Sequence, residues 1–317
     1  MSFISNCTAS AIKDAATSLI NGDLVAFPTE TVYGLGADAG NEKAVKKIYQ
    51  VKGRPVDHPL IVHISDLKQL DKWAREIPEY AIKLARSFWP GPMTLILPRT
   101  ALAKDFITGG QDNVGIRIPD QTLALALLSE FEQQGGMGVA APSANRFGKV
   151  SPTTAKAVEA ELGAFLDSKD LILDGGSCEV GVESTIIDCT GSLPTILRPG
   201  AITAQMIFAA TNLEPTTTNN LAIKASGLLE SHYSPSAKVI LDQTPQAGDG
   251  FIALSDIKTP EGVIRLASPK NNIEYAKQIY KALRDADEQQ LKIVHAQLPT
   301  GDDIAVAIRD RLKKSAN

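Results

Sequence analysis

The strongest constraint in this 317-residue sequence is a rhythm that lapses once and then resumes. Through the first 200 residues, short apolar runs alternate with amphipathic stretches of helical period. Strands are predicted over 24–27, 60–64, 93–97, 114–118, 138–141, 171–173, 184–189 and 195–197. Helices are predicted over 8–20, 41–51, 78–89, 121–132 and 153–162; Asn21-Gly22 stops the first, and Ser151-Pro152 offers the last a cap and first turn. Such alternation specifies an α/β or α+β sheet domain. Residues 201–236 break it: after a short helical stretch comes Glu214-Pro215-Thr216-Thr217-Thr218-Asn219-Asn220, polar and poor in charge, which reads as a linker. Strands over 239–241, 251–254, 263–266 and 293–295, with helices over 273–286 and 302–312, then describe a smaller α/β domain at 237–317.

Composition narrows the class. With 44% apolar and 21% charged residues the chain is an ordinary globular one. Residues 1–200 carry 19 Lys or Arg against 23 Asp or Glu, and residues 237–317 carry 12 against 11, so no segment is a polycation built to grip nucleic acid over a whole surface. No apolar run approaches the ~20 residues of a membrane span, and Met1 to Ser10 lacks the basic and apolar regions of a secretory signal. Cys7, Cys178 and Cys189 have no paired spacing and read as reduced residues of a cytoplasmic protein. His58, His63, His232 and His295 show no zinc-ligand spacing, and no metal site is expected.

The densest chemistry follows the first of these strands, in Pro28-Thr29-Glu30-Thr31-Val32-Tyr33-Gly34-Leu35-Gly36. Gly34 and Gly36 formally match a dinucleotide fingerprint, but the first glycine comes too late after the strand and no acidic residue ends the next one. A loop of turn glycines around a core tyrosine, or a hydroxyl-rich rim of a polar pocket, are the alternatives. Lys52-Gly53-Arg54-Pro55 can present a phosphate-binding fork, since Pro55 keeps Arg54 extended; as a lone pair it is more often a solvated turn. Ala141-Pro142-Ser143-Ala144-Asn145 ends a strand in hydroxyl, amide and backbone N–H groups suited to an anion or ribose. Arg117 lies among apolar residues and must meet either a buried carboxylate or a ligand's. With Lys149 and Arg198, these cations sit at strand ends or in nearby loops, a pattern that suits a concave polyanion pocket. No Walker loop and no serine-hydrolase elbow is present.

In that order, with Val182-Glu183-Ser184-Thr185-Ile186-Ile187, Leu197-Arg198-Pro199-Gly200 and His232-Tyr233-Ser234-Pro235, the motifs resemble the YrdC-like L-threonylcarbamoyladenylate synthases. The resemblance covers essentially residues 8–200, and the tail looks like the two-domain form. It implies a twisted open α/β sheet domain at 1–200 with a positively charged cavity, a linker at 201–236 closing over it, and a Rossmann-like domain at 237–317. It implies that L-threonine, bicarbonate and ATP give L-threonylcarbamoyl-AMP and pyrophosphate, with a divalent cation, magnesium by expectation, carried on ATP. The product would supply a separate machinery that modifies adenosine in tRNA. Carried over, threonine lies near Thr29, His63, Arg117, Ala141 and Ser184. ATP lies near Lys52, Arg54, His58, Thr108, Ser143, Asn145, Ser151, Arg198 and Tyr233, with Lys52 and Arg54 stabilising charge. His58 departs from the family, which commonly has Asn there. The alternative is a YrdC-like protein that binds double-stranded RNA or tRNA without making the adenylate.

Overall fold

In this computed structural model, residues 3–6, 8–217, 223–225, 227 and 233–316 are described. The chain begins β1 (Ile4–Asn6), α1 (Ala9–Ile20), β2 (Val25–Phe27), β3 (Gly34–Asp38), α2 (Glu42–Lys52) and β4 (Ile61–His63). Next come α3 (Leu70–Trp73), α4 (Glu79–Phe88), β5 (Met93–Pro98), α5 (Asp105–Thr108), β6 (Asn113–Arg117), α6 (Thr122–Gln133) and β7 (Val139–Ala140). They are followed by α7 (Ala155–Leu162), β8 (Leu171–Asp174), β9 (Thr185–Asp188), β10 (Thr195–Arg198), α8 (Ala204–Thr211) and β11 (Thr216–Thr217).

These strands form one mixed sheet in the order β1-β8-β2-β3-β7-β4-β6-β5-β9-β10-β11. Helices cover both faces, which is why β2 reads as an unbroken apolar run. Its period of two divides the run: Val25 and Phe27 pack with Leu19 of α1 and Leu127 of α6, while Leu24 and Ala26 join the core under Val45 and Ile48 of α2. Thr8 caps α1 and Asn41 caps α2 through side-chain oxygens. The cap of α7 is Thr154 and not the expected Ser151, whose hydroxyl is committed elsewhere.

Gly34 and Gly36 are neither a phosphate loop nor a turn. They belong to β3, antiparallel to β2. A Cβ on Gly36 would come within 2.8 Å of Val139 Cγ1 and 2.9 Å of Phe27 Cε1, so glycine is required by strand packing. The polar stretch expected as linker also starts with structure, since Thr216–Thr217 adds a parallel edge strand beside β10. Thr218 to Asn220, Cys7 and His232 lie outside the described residues.

The smaller sheet comprises β12 (Lys238–Leu241), β13 (Gly250–Ile252), β14 (Ile264–Ala267) and β15 (Ile293–Ala296), parallel in the order β12-β15-β13-β14. It carries α9 (Asn272–Glu288) and α10 (Ala305–Ser315). Its core does not stop at a domain boundary. Val32, Val150 and Val182 from the large sheet's loops, and Tyr233, pack in one cluster with Ile279, Tyr280, Ile308 and Leu312. His295 is buried between the Gln243 carbonyl (3.1 Å) and Asp249 (3.2 Å), a structural role.

Candidate active site

Strands β4 and β6 run parallel with His63 opposite Arg117, so both side chains reach the same edge of the large sheet. There the loop after β2, the start of β3, the 141–143 segment after β7 and the 183–184 segment before β9 converge with Arg198 at the end of β10. They form a cavity lined also by Thr31, Val32, Gly34, Arg54, Ile61, Pro142, Gly227 and Tyr233. Three arginines, one carboxylate and several hydroxyls therefore share one concavity inside an acidic domain.

Arg117 has found a protein carboxylate. Its Nη2 donates to Glu30 Oε1 at 2.6 Å, both residues buried, and Glu30 Oε2 accepts the Asp120 amide at 3.1 Å. The Nε of Arg117 is buried and has no hydrogen-bond partner among the described residues. Beside it, burial and the Arg117 charge pull the His63 imidazole down to about 3, so His63 is neutral near pH 7. Its Nδ1 lies 3.2 Å from the Ile61 carbonyl, which fixes the ring.

Across the cavity Arg198 donates from Nε (3.1 Å) and Nη2 (3.0 Å) to the Ser184 carbonyl, and from Nη2 to Ser184 Oγ (3.1 Å). Thr94 Oγ1 lies 2.8 Å from Ser184 Oγ. Arg54 donates to the Pro59 carbonyl at 3.1 Å and stands 5.8 Å from the Phe147 ring centroid; burial draws its guanidinium down to about 10. Tyr233 lines the same end, stacked on Tyr280 with centroids 5.6 Å apart, and burial pushes its phenol up to about 12.

Eight expected residues thus line the cavity: Arg54, His63, Arg117, Ala141, Ser143, Ser184, Arg198 and Tyr233. Six do not, and four of them, Thr29, Lys52, Asn145 and Ser151, bond to the segments that line it. Thr29 Oγ1 donates to the Val32 carbonyl at 2.6 Å and accepts the Thr31 and Val32 amides, shaping the loop. Lys52, fully buried at the end of α2, donates to the Ser143 carbonyl at 2.6 Å and to the Asn145 carbonyl, and burial followed by the nearby Arg54 holds its ammonium well below the usual range. Gly53 makes that exit possible with φ +61. Asn145 braces the same loop through the Arg146 and Lys149 carbonyls, each at 2.8 Å. Ser151 donates to Glu183 Oε1 at 2.6 Å. Thr108 accepts from Arg99 at 3.3 Å, and His58 stands edge-on to Phe147 at 5.3 Å. Lys149, grouped with the cavity cations on sequence, is exposed.

Two buried carboxylates give no separate signal in the sequence: Glu183, which lines the cavity, and Glu30, which stands behind it on Arg117. Both lie inside the recognised motifs, where a charge among apolar neighbours needs a partner. Glu183 accepts from Ser151, from Tyr280 Oη at 2.7 Å and from Arg311 Nε at 2.8 Å. Burial alone would push its carboxyl up, but Arg311 and Arg198 hold it down to about 2.

Residues 17–200 match the family described as Telomere recombination, and residues 202–317 match the Threonylcarbamoyl-AMP synthase C-terminal domain. The chain is 39% identical to the threonylcarbamoyl-AMP synthase of Pyrococcus abyssi over 96% of its own length and 94% of that protein's. It is 38% identical to the Bacillus subtilis synthase, covering 96% of this chain and 92% of the relative. Among solved structures, P. abyssi Sua5 complexed with L-threonine superposes with a TM-score of 0.90 at 37% identity, over 99% of this chain and 98% of that one.

Proposed function

The chain belongs to the threonylcarbamoyl-AMP synthase family, and from that premise we propose how its cavity divides the work of making the adenylate. L-Threonine, bicarbonate and ATP enter; L-threonylcarbamoyl-AMP, pyrophosphate and water leave. The threonine amine and bicarbonate form a carbamate with loss of water, and a carbamate oxygen attacks the α-phosphorus as the bond to pyrophosphate breaks. Positioning, exclusion of water and fixed positive charge are what such a step needs. No covalent enzyme intermediate is required.

The end of the cavity at Thr31, His63, Arg117, Ala141 and Ser184 is the threonine end in this reading. The observation that carries it is the Arg117 guanidinium, anchored by Glu30 on one nitrogen while its buried Nε has no partner among the described residues, as a carboxylate-binding group would be held. Thr29 acts there through the loop it shapes. Neutral His63 offers a hydrogen bond without a second charge.

The nucleotide end has Arg54, Ser143, Arg198 and Tyr233 on the cavity wall. Lys52, Asn145 and Ser151 support that wall from behind, and His58 and Thr108 stand farther out. Arginine held in place by carbonyls costs little reorganisation when phosphate charge arrives. Glu30 and Glu183 are each committed to an arginine, so this donor set suits a divalent cation carried by the triphosphate better than one caged by protein. The product would pass to the separate machinery that transfers the threonylcarbamoyl group to tRNA.

The test is threonine- and bicarbonate-dependent release of pyrophosphate from ATP by the purified chain, with the labile adenylate detected directly. Pyrophosphate release independent of threonine, or RNA binding without ATP turnover, would overturn the reading.

A further inference from the structure

Resting on the synthase reading, we propose that Arg311, in the last helix of the small domain, is a positioning residue that holds Glu183 and Tyr233 together at the nucleotide end of the cavity. Arg311 is fully buried. Its Nε donates to Glu183 Oε2 at 2.8 Å, its Nη2 donates to the Pro199 carbonyl at 3.0 Å, and its Nη1 meets Asp310. The guanidinium carbon lies 5.3 Å from the centroid of the Tyr233 ring. One planar group therefore ties three separate cavity segments: Glu183 before β9, Pro199 beside Arg198, and Tyr233.

The rest of α10 repeats the theme. Residues one turn on from Arg311 share its face. Lys314 Nζ donates to the Gly227 carbonyl at 2.8 Å, and Ser315 Oγ donates to the Tyr233 carbonyl at 3.0 Å. Gly227 and Tyr233 both line the cavity. Tyr233 holds φ +62, a left-handed backbone that a tyrosine rarely adopts, and the Arg311 and Tyr280 ring contacts retain it there.

Electrostatics supplies the second reason. An unpaired Glu183 carboxylate on the cavity wall would oppose the phosphates that Arg54 and Arg198 attract. Arg311, with the Tyr280 hydroxyl and Ser151, occupies both Glu183 oxygens and offsets that charge. The small domain thus supplies the group that neutralises Glu183 on the cavity wall.

Arg311→Lys keeps the charge and loses the fork; Tyr280→Phe keeps ring and charges and loses one hydroxyl. Equilibrium binding of ATP and of L-threonine is measured separately on the full chain, with pyrophosphate release and thermal unfolding alongside. Arg311→Lys is expected to weaken ATP binding about tenfold while threonine binding stays within about twofold, with Tyr280→Phe moving the same way by less. A purely structural role would lower both affinities together with Tm, and that result, or unchanged ATP affinity in both variants, would overturn the proposal. If Arg311→Lys does not fold, Tyr280→Phe decides by the same split. Wild-type protein that binds ATP but releases no pyrophosphate would sink the synthase reading, leaving the ATP-binding comparison to judge Arg311.

Discussion

Glu30 Oε1 accepts a hydrogen bond from Arg117 Nη2 at 2.6 Å across 87 residues of chain, and neither side chain is exposed. A buried pair of this kind contributes little by its mere presence, because desolvation consumes the Coulombic gain. Its use is orientation. It fixes one edge of the guanidinium, while the buried Nε has no hydrogen-bond partner among the described residues.

Arg117→Ala is therefore expected to have two effects. It strands the Glu30 carboxylate, costing about 3–5 kcal/mol of stability. It also weakens threonine binding far more than ATP binding. Denaturant unfolding and separate titrations of the two substrates measure these, and unchanged threonine affinity would reject the role.

His63 sets a pH dependence of stability. Its imidazole is held near 3 in the fold and returns to its ordinary value, about 6.5, on unfolding. Between those values the unfolded chain binds the extra proton, so stability falls as pH drops from about 6.5 toward 3. His63→Gln should flatten that part of the curve in melts at stepped pH. The His63 imidazole signal, identified by its loss in His63→Gln, titrating near 6.5 in the folded protein would contradict the assignment.

Gly36→Ala tests whether β3 is packing or ligand machinery. The new Cβ must displace Val139 and Phe27, which predicts a loss of about 1–3 kcal/mol by overpacking. Nucleotide affinity per folded molecule should not change. A selective loss of ATP binding at full Tm would reopen the phosphate-loop reading.

Tyr233→Ala removes the ring that stacks on Tyr280 and lies beneath Arg311. ATP use should fall by at least about tenfold while threonine binding persists. Steady-state assays varying one substrate at a time would show it, and full activity would exclude Tyr233 from the site.

Much of the scaffold was legible in advance because period, caps and turn residues are local. Thr8 and Asn41 begin helices in the structure as they do in the sequence pattern. β3 carries no strand signal because two of its five residues are glycine, yet glycine is what lets β2 and β7 approach. Ser151 has the side chain of a cap, but Glu183 claims its hydroxyl and Thr154 caps α7 instead.

The candidate site divides the same way. By itself the sequence determined which residue types gather in which motifs, and that Arg117 required an anion, because burying an unpaired charge is prohibitive whatever the fold. Tertiary structure alone decided that the anion is Glu30, and that Lys52 grips backbone carbonyls behind the cavity wall. It alone brought Arg311 to Glu183 across 128 residues. Local pattern encodes what each segment can bury; which buried charges meet depends on the packing of elements distant in sequence.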